Sequence, residues 1–260
     1  AAGLLGLGLD PGDRVLLRMG NRADFPFVFF GAIAAGLVAV PTSAQLTADE
    51  AAGLLADSGA RAVALDPDLD LAVPQGISVI TSDDVDRWVA GGERAEHDLG
   101  DPDRPAFITY TSGTTGRPKG VVHAHRSAWG RRPMYRGWYG LDEGDVMVHA
   151  GALNWTYTLG TGLMDPWTAG ATALIPATSV TPDQLPLLMK RHDATIFAAA
   201  PGVFRKFVTP GKTLDLPKLR HGLTAGEKLS ATIDAHWREA TGTPLFEPYG
   251  MSECSPFLSA

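Results

Sequence analysis

Cysteine is almost absent from these 260 residues, and Cys254 stands alone. That excludes a disulfide framework and a cysteine-only zinc site. A basic excess is missing too. Lys and Arg total 22 against 29 Asp and Glu, a formal net charge of −7, so no overall positive field favours nucleic acid. No apolar run reaches the roughly 18 residues of a membrane helix. The nearest, 25–40, holds Pro26, Gly31 and Gly36 and stops at Pro41; a buried core helix is expected there. The N-terminus lacks a basic n-region and an initiator Met, so it does not read as a signal peptide. With one cysteine, the expected location is the cytoplasm. The missing Met also fits a piece of something longer.

What is present suits a soluble globular chain, with 45% hydrophobic and 20% charged residues. A chain of this length buries roughly 70–75% of its unfolded surface and needs no covalent staple. The 30 Gly and 19 Pro are scattered and punctuate a folded chain. Strands are expected over 14–19, 61–65, 77–80, 107–110, 145–149 and 195–199. Thr47-Ala-Asp-Glu50 is a capping box opening a helix to Ser58, which Gly59 ends. Further helices are expected over 83–90, from Thr181-Pro182 to His192, and over 230–240. The last places Ile233, Trp237 and Ala240 on one face. Alternation of strand and helix predicts an α/β fold with mostly parallel sheets sandwiched by helices. A polar stretch, 91–105, is read either as a subdomain boundary or as a surface loop.

The chemistry concentrates in Tyr110-Thr-Ser-Gly-Thr-Thr-Gly-Arg-Pro-Lys-Gly120, entered from an apolar strand. Its glycines expose backbone N–H groups and allow positive φ, so the loop can wrap a polyphosphate. Thr111, Ser112, Thr114 and Thr115 add hydroxyls; Arg117 and Lys119 add charge. Each charge-assisted bond contributes roughly 1.5–3 kcal/mol. Other phosphate and nucleophile motifs fail. Lys119 lies between Pro118 and Gly120, and Gly211-Lys212-Thr213 has Lys206 where a Walker loop needs its first Gly. Gly6-Leu-Gly8 is broken at Pro11, and a nucleophile elbow at Ser112 would need Gly in place of Tyr110. His123 and His125 flank the loop as packing or capping residues, no His–Glu spacing suggests zinc, and Cys254 is expected as a small buried hydrophobe.

The loop resembles the signature of the adenylate-forming (AMP-binding) enzymes: acyl-CoA synthetases, nonribosomal adenylation domains and luciferases. Glu247-Pro-Tyr249-Gly250-Met251-Ser252-Glu253 is similar to that family's Tyr-Gly-x-Thr/Ser-Glu element. Thr224-Ala-Gly226-Glu227-Lys228-Leu229 resembles its adenine-side segment, and Ala198-Ala-Ala-Pro201 its acyl-pocket strand end. The likeness covers essentially the whole chain. It implies that 1–260 is a partial large N-terminal domain, with the small C-terminal domain absent.

The resemblance implies ATP-dependent activation of a carboxylic acid to an acyl-adenylate, then transfer to coenzyme A. The catalytic candidates are Lys119, Thr115 and Glu253, with Glu253 assisted by Thr115 as Mg²⁺ ligand. Thr111, Ser112, Gly113, Thr114, Thr115, Gly116 and Lys119 would hold the β- and γ-phosphates. Ser252 would sit near the α-phosphate. Tyr249 and Gly250 would border the adenine, with Gly226, Glu227 and Lys228 on its other side. Asn154, Trp155, Tyr157, Ala199, Ala200, Thr224, Ala225, Gly250 and Met251 are the acyl-pocket candidates. Gly250 stands where acetate and propionate enzymes of the family carry a blocking Trp. Trp155 stands near the position where amino-acid-activating domains carry an Asp. Both imply an aromatic, branched or medium-chain acid. The intact enzyme is expected to be an acid–thiol ligase and this piece to turn over poorly. The other class left open is a non-catalytic nucleotide- or acyl-binding module, a pseudo-enzyme or a partner-dependent half. A homo-oligomer is also left open.

Overall fold

The computed structural model describes residues 1–112, 117–255 and 257–259. The chain divides into two compact units, Ala1–Ser127 and Ala128–Ala260. The 91–105 stretch lies inside the first of them.

Six strands form the sheet of the first unit: β1 (Arg14–Arg18), β2 (Val38–Pro41), β3 (Ala62–Leu65), β4 (Ser78–Ile80), β5 (Pro105–Thr111) and β6 (Lys119–Ala124). Their order is β4-β3-β1-β2-β5-β6. All pairs are parallel except β5–β6, which is antiparallel. The helix Ala48–Ser58 begins as its sequence demands: Thr47 Oγ1 accepts from the Glu50 N–H and the Glu50 carboxylate accepts from the Thr47 N–H. This satisfies two of the donors that a helix start leaves open.

The apolar run 25–40 corrects the expectation of one helix. A helix covers Phe25–Ala34, and Val38–Pro41 is a fully buried strand. Apolar runs buried on all sides carry no period that separates helix from strand. Here β-branched Val38 and Val40, and Pro41 after them, favour extended backbone. The strand β6 was also not foreseen.

The second unit holds β7 (Val146–His149), β8 (Thr172–Leu174), β9 (Ile196–Ala199), β10 (His221–Thr224) and β11 (Leu245–Phe246), all parallel, in the order β11-β10-β9-β7-β8. A short antiparallel hairpin joins β12 (Tyr249–Gly250) to β13 (Phe257–Ser259). The helix Ala231–Thr241 buries Ile233, Trp237 and Ala240, the face its spacing marked. Trp237 packs there with Phe197, Phe204 and Phe207. A second cluster holds Met147, Ile196, Ala198, Leu223, Tyr139, Tyr157 and Phe257. Two π-helical segments, Tyr135–Tyr139 and Thr158–Met164, lie in this unit. Such turns occur often at functional sites. Among the described residues no helix is long and apolar enough to cross a membrane.

Candidate functional site

In the first unit, β5 and β6 pair up to Tyr110–Gly120 and Thr111–Lys119. The glycine- and hydroxyl-rich segment joins these two strands. Thr111 is half-buried, whereas Ser112, Arg117 and Lys119 are exposed. Gly113, Thr114, Thr115 and Gly116 lie outside the described residues. The root of the hairpin is tied to the helix 48–58, since the Tyr110 hydroxyl donates to Asp57 Oδ2 at 2.6 Å. Burial first, and then the Asp57 carboxylate, hold the Tyr110 phenol above its usual pKa. His123 is buried and its ring stacks on Phe107 at 4.5 Å, the packing role expected of it. A cavity of about 570 Å³ lined by Leu4, Val28, Val85 and Trp88 contains none of the candidate residues.

The second unit brings three separate segments together. The Trp155 ring lies over Gly226, where a Cβ would meet Cζ2 at 2.7 Å. Thr156 Oγ1 donates to Ser252 Oγ at 2.9 Å. The Tyr157 ring meets Trp155 edge-on at 5.1 Å and Phe257 at 5.6 Å. So residues 155–157 touch Gly226 on one side and Ser252 and Phe257 on the other. Asn154 and Trp155 are half-buried, and Tyr157, Thr224 and Ala225 are buried. Gly250 and Ser252 are half-buried, while Tyr249, Met251 and Glu253 are exposed. Lys228 is exposed. Glu227 Oε1 accepts from the Gly202 N–H at 3.1 Å, at the start of the helix Pro201–Phe207. Ala200 caps that helix, half-buried.

Ala199 stands apart from the others. It packs in the cluster of Phe204 and Trp237, whereas its neighbour Ala198 packs in the cluster of Tyr157 and Ala225. Side chains alternate across a strand, so one residue changes the face. Cys254 corrects a second expectation, because it is exposed. It sits in the one-turn segment Ser252–Cys254 between exposed Glu253 and half-buried Ser255.

His149, at the end of β7, is fully buried, and among the described residues neither ring nitrogen has a hydrogen-bond partner. Burial drives its pKa down to about 3. Tyr157 Oη, Thr158 Oγ1 and Thr224 Oγ1 are likewise buried with no partner among the described residues. Among the described residues no three His, Cys, Asp or Glu side chains converge as a metal site.

The chain matches the model of the AMP-binding enzyme family over residues 1–260. It belongs to that family. A benzoate–CoA ligase of Thauera aromatica is 33% identical over 268 residues, covering 95% of this AMP-binding chain and 50% of the relative. A 4-hydroxybenzoate–CoA/benzoate–CoA ligase of Rhodopseudomonas palustris is 32% identical over 271 residues, with 95% and 49% covered. The solved benzoate CoA ligase of Burkholderia xenovorans LB400 superposes with a TM-score of 0.85 at 28% identity, over 98% of this chain and 54% of that one. An anthranilate CoA ligase in complex with anthranoyl-AMP gives a TM-score of 0.88 at 25% identity, over 98% and 52%. This AMP-binding chain thus spans about half the length of the curated relatives it matches. The α/β fold with parallel sheets flanked by helices is that of the N-terminal domains of adenylate-forming enzymes.

Sequence reasoning passed over Thr156, Ser255, Arg131 and Asp165. Asp165 did carry a signal. It is the only charge in the stretch 144–182 apart from Asp145, and a carboxylate in such a run needs a buried partner.

Proposed function

We propose that the protein to which these residues belong activates a carboxylic acid with ATP and passes the acyl group to coenzyme A. The observation that carries this reading is the loop Tyr110–Gly120 on the β5–β6 hairpin of a chain that belongs to the AMP-binding family throughout. A substrate carboxylate oxygen attacks the α-phosphorus, the bond to the bridging oxygen breaks, and pyrophosphate leaves. A thiol sulfur then attacks the carbonyl carbon of the acyl-adenylate, loses its proton, and AMP leaves.

Two anions have to meet in the first step, so cations and N–H donors must offset their repulsion. Lys119 and the N–H and hydroxyl groups of 111–116 take the β- and γ-phosphates. Ser252 faces the α-phosphate, and Tyr249 with Gly226 borders the adenine. Mg²⁺ is commonly held by one or two carboxylates plus substrate phosphate oxygens. Glu253 is an exposed carboxylate on a one-turn segment and fits that donor set, with Thr115 assisting. Bound there, the ion would neutralise phosphate charge.

The acid we favour is a small aromatic one. Trp155 and Tyr157 present perpendicular rings within 5.1 Å of each other, Gly250 adds no side chain, and two of the relatives are named for benzoate. Pyrophosphate exchange with the full-length protein, across a panel of acids with ATP and Mg²⁺, is the test. Benzoate-type acids are expected to head the panel. Acetate as best substrate would sink the aromatic assignment, and no exchange with any acid would sink the activity itself. The cytoplasm remains the location we propose.

A further inference from the structure

Beneath the Ser252–Cys254 turn lies an ion pair that the chemistry above does not use. Arg131 is 2% exposed and Asp165 0%. Arg131 Nε donates to Asp165 Oδ1 at 2.7 Å and Nη2 donates to Oδ2 at 2.5 Å, a bidentate fork. Nη2 also donates to the Tyr139 hydroxyl at 3.3 Å. Gly160 makes the space, because a Cβ there would overlap the guanidinium. Burial works against the charge on Arg131, but the Asp165 carboxylate together with the Tyr139 and Tyr135 phenols outweighs it and raises the guanidinium pKa, so Arg131 stays charged.

The remaining nitrogen, Nη1, donates to the backbone carbonyl of Ser255, 124 residues away. Ser255 has φ 51° and ψ 63°. Among the described residues it is one of two non-glycine residues with positive φ. That conformation disfavours any residue with a Cβ and persists only where the surroundings impose it. The Ser255 N–H is taken by the Ser252 carbonyl, and its own carbonyl is taken by Arg131. The other end of the turn is held by Thr156 on Ser252. A buried ion pair is weak evidence for stability, since apolar replacement of both partners is often neutral. Its geometry here serves a different end.

We propose that Arg131, locked by Asp165, is the positioning residue of the 252–255 turn. It fixes Ser255 in the left-handed conformation and so aims Ser252 and Glu253. This rests on the reading of those two residues as nucleotide and metal contacts.

The test uses the full-length protein and replaces both charges, Arg131→Met with Asp165→Leu, so that neither is left buried and alone. The double variant is expected to melt close to wild type and to lose exchange rate by about tenfold or more, as misplaced catalytic groups do. The Mg²⁺ concentration at half-maximal rate should rise, with KM for the acid little changed. Adding Ser255→Gly, which accepts the left-handed backbone without a clamp, is expected to restore about threefold of that loss. A folded double variant with wild-type exchange and Mg²⁺ dependence overturns the proposal, as does a loss that Ser255→Gly leaves untouched. If the double variant does not fold, Arg131→Lys keeps the charge but not the fork, and the same rescue is read there. Wild-type exchange is measured first. Its absence with every acid defeats the functional reading instead, and the clamp is then judged by a crystal structure of the double variant, where an unmoved 252–255 backbone overturns it.

Discussion

Trp155 occupies the space that a side chain at position 226 would need. A Cβ on Gly226 would lie 2.7 Å from the indole Cζ2, and Gly226 has φ +98°. Two penalties therefore meet at one residue, a steric overlap and a backbone region closed to other L-residues. Gly226→Ala is expected to lower stability by about 1–3 kcal/mol, measured by urea denaturation. Trp155→Ala in the same chain should recover part of the loss, because it removes the overlap and leaves the φ penalty. Strict additivity of the two substitutions would show that the ring and the glycine are not coupled.

Lys119 and Glu253 are both exposed, so substituting them perturbs binding chemistry with little effect on the fold. In the full-length protein, Lys119→Ala is expected to slow pyrophosphate exchange by about a hundredfold, the scale of losing one preorganised electrostatic contact. Glu253→Gln should raise the Mg²⁺ requirement. Unchanged melting temperatures paired with unchanged kinetics would remove either residue from the site.

His149 gives a pH prediction with a definite sign. Its pKa falls from the ordinary 6.5 to about 3 because burial disfavours the charged ring. Between those values the unfolded chain binds a proton that the folded chain does not. Stability is therefore complete above about pH 6.5 and is lost as pH falls towards 3, by up to about 1.4 kcal/mol per pH unit. Burial lowers the His221 pKa as well, so His149→Phe should flatten this slope without abolishing it. Urea midpoints taken from about pH 7 to about pH 4 decide the matter. An identical slope in wild type and variant would mean His149 is not protonation-silent in the fold.

Local rules were readable where they act locally. The Thr47–Glu50 box and the Ile233, Trp237, Ala240 face each lie within a few residues and emerged as expected. The motifs around Lys119 and Glu253 were legible for the same reason, as dense and ordered chemistry in a short span. What escaped depends on distance or on the solvent environment. Arg131 and Asp165 are 34 residues apart, and no periodicity links them. The run 25–40 is apolar throughout and hides where helix gives way to strand. Ala198 and Ala199 are identical in chemistry, and only the register of β9 shows that they pack in different clusters. Cys254 has a composition-based expectation of burial that a one-turn surface segment overrides.

Thr156 offers a finer test of the same site. It donates to Ser252 Oγ, so the Ser252 hydroxyl proton is left to point elsewhere, and an incoming phosphate oxygen is the acceptor we assign it. Thr156→Val keeps the branched shape in a buried position and removes the O–H. The Ser252 hydroxyl would then turn to find a new partner. Losing one such hydrogen bond is worth about 1 kcal/mol, roughly fivefold in exchange rate. The loss should fall on kcat, because Thr156 acts through Ser252, and KM for the acid should hold. Thr156→Ser restores the O–H and should restore the rate. A Val variant as fast as wild type, or a Ser variant as slow as Val, would show that Thr156 only fills space.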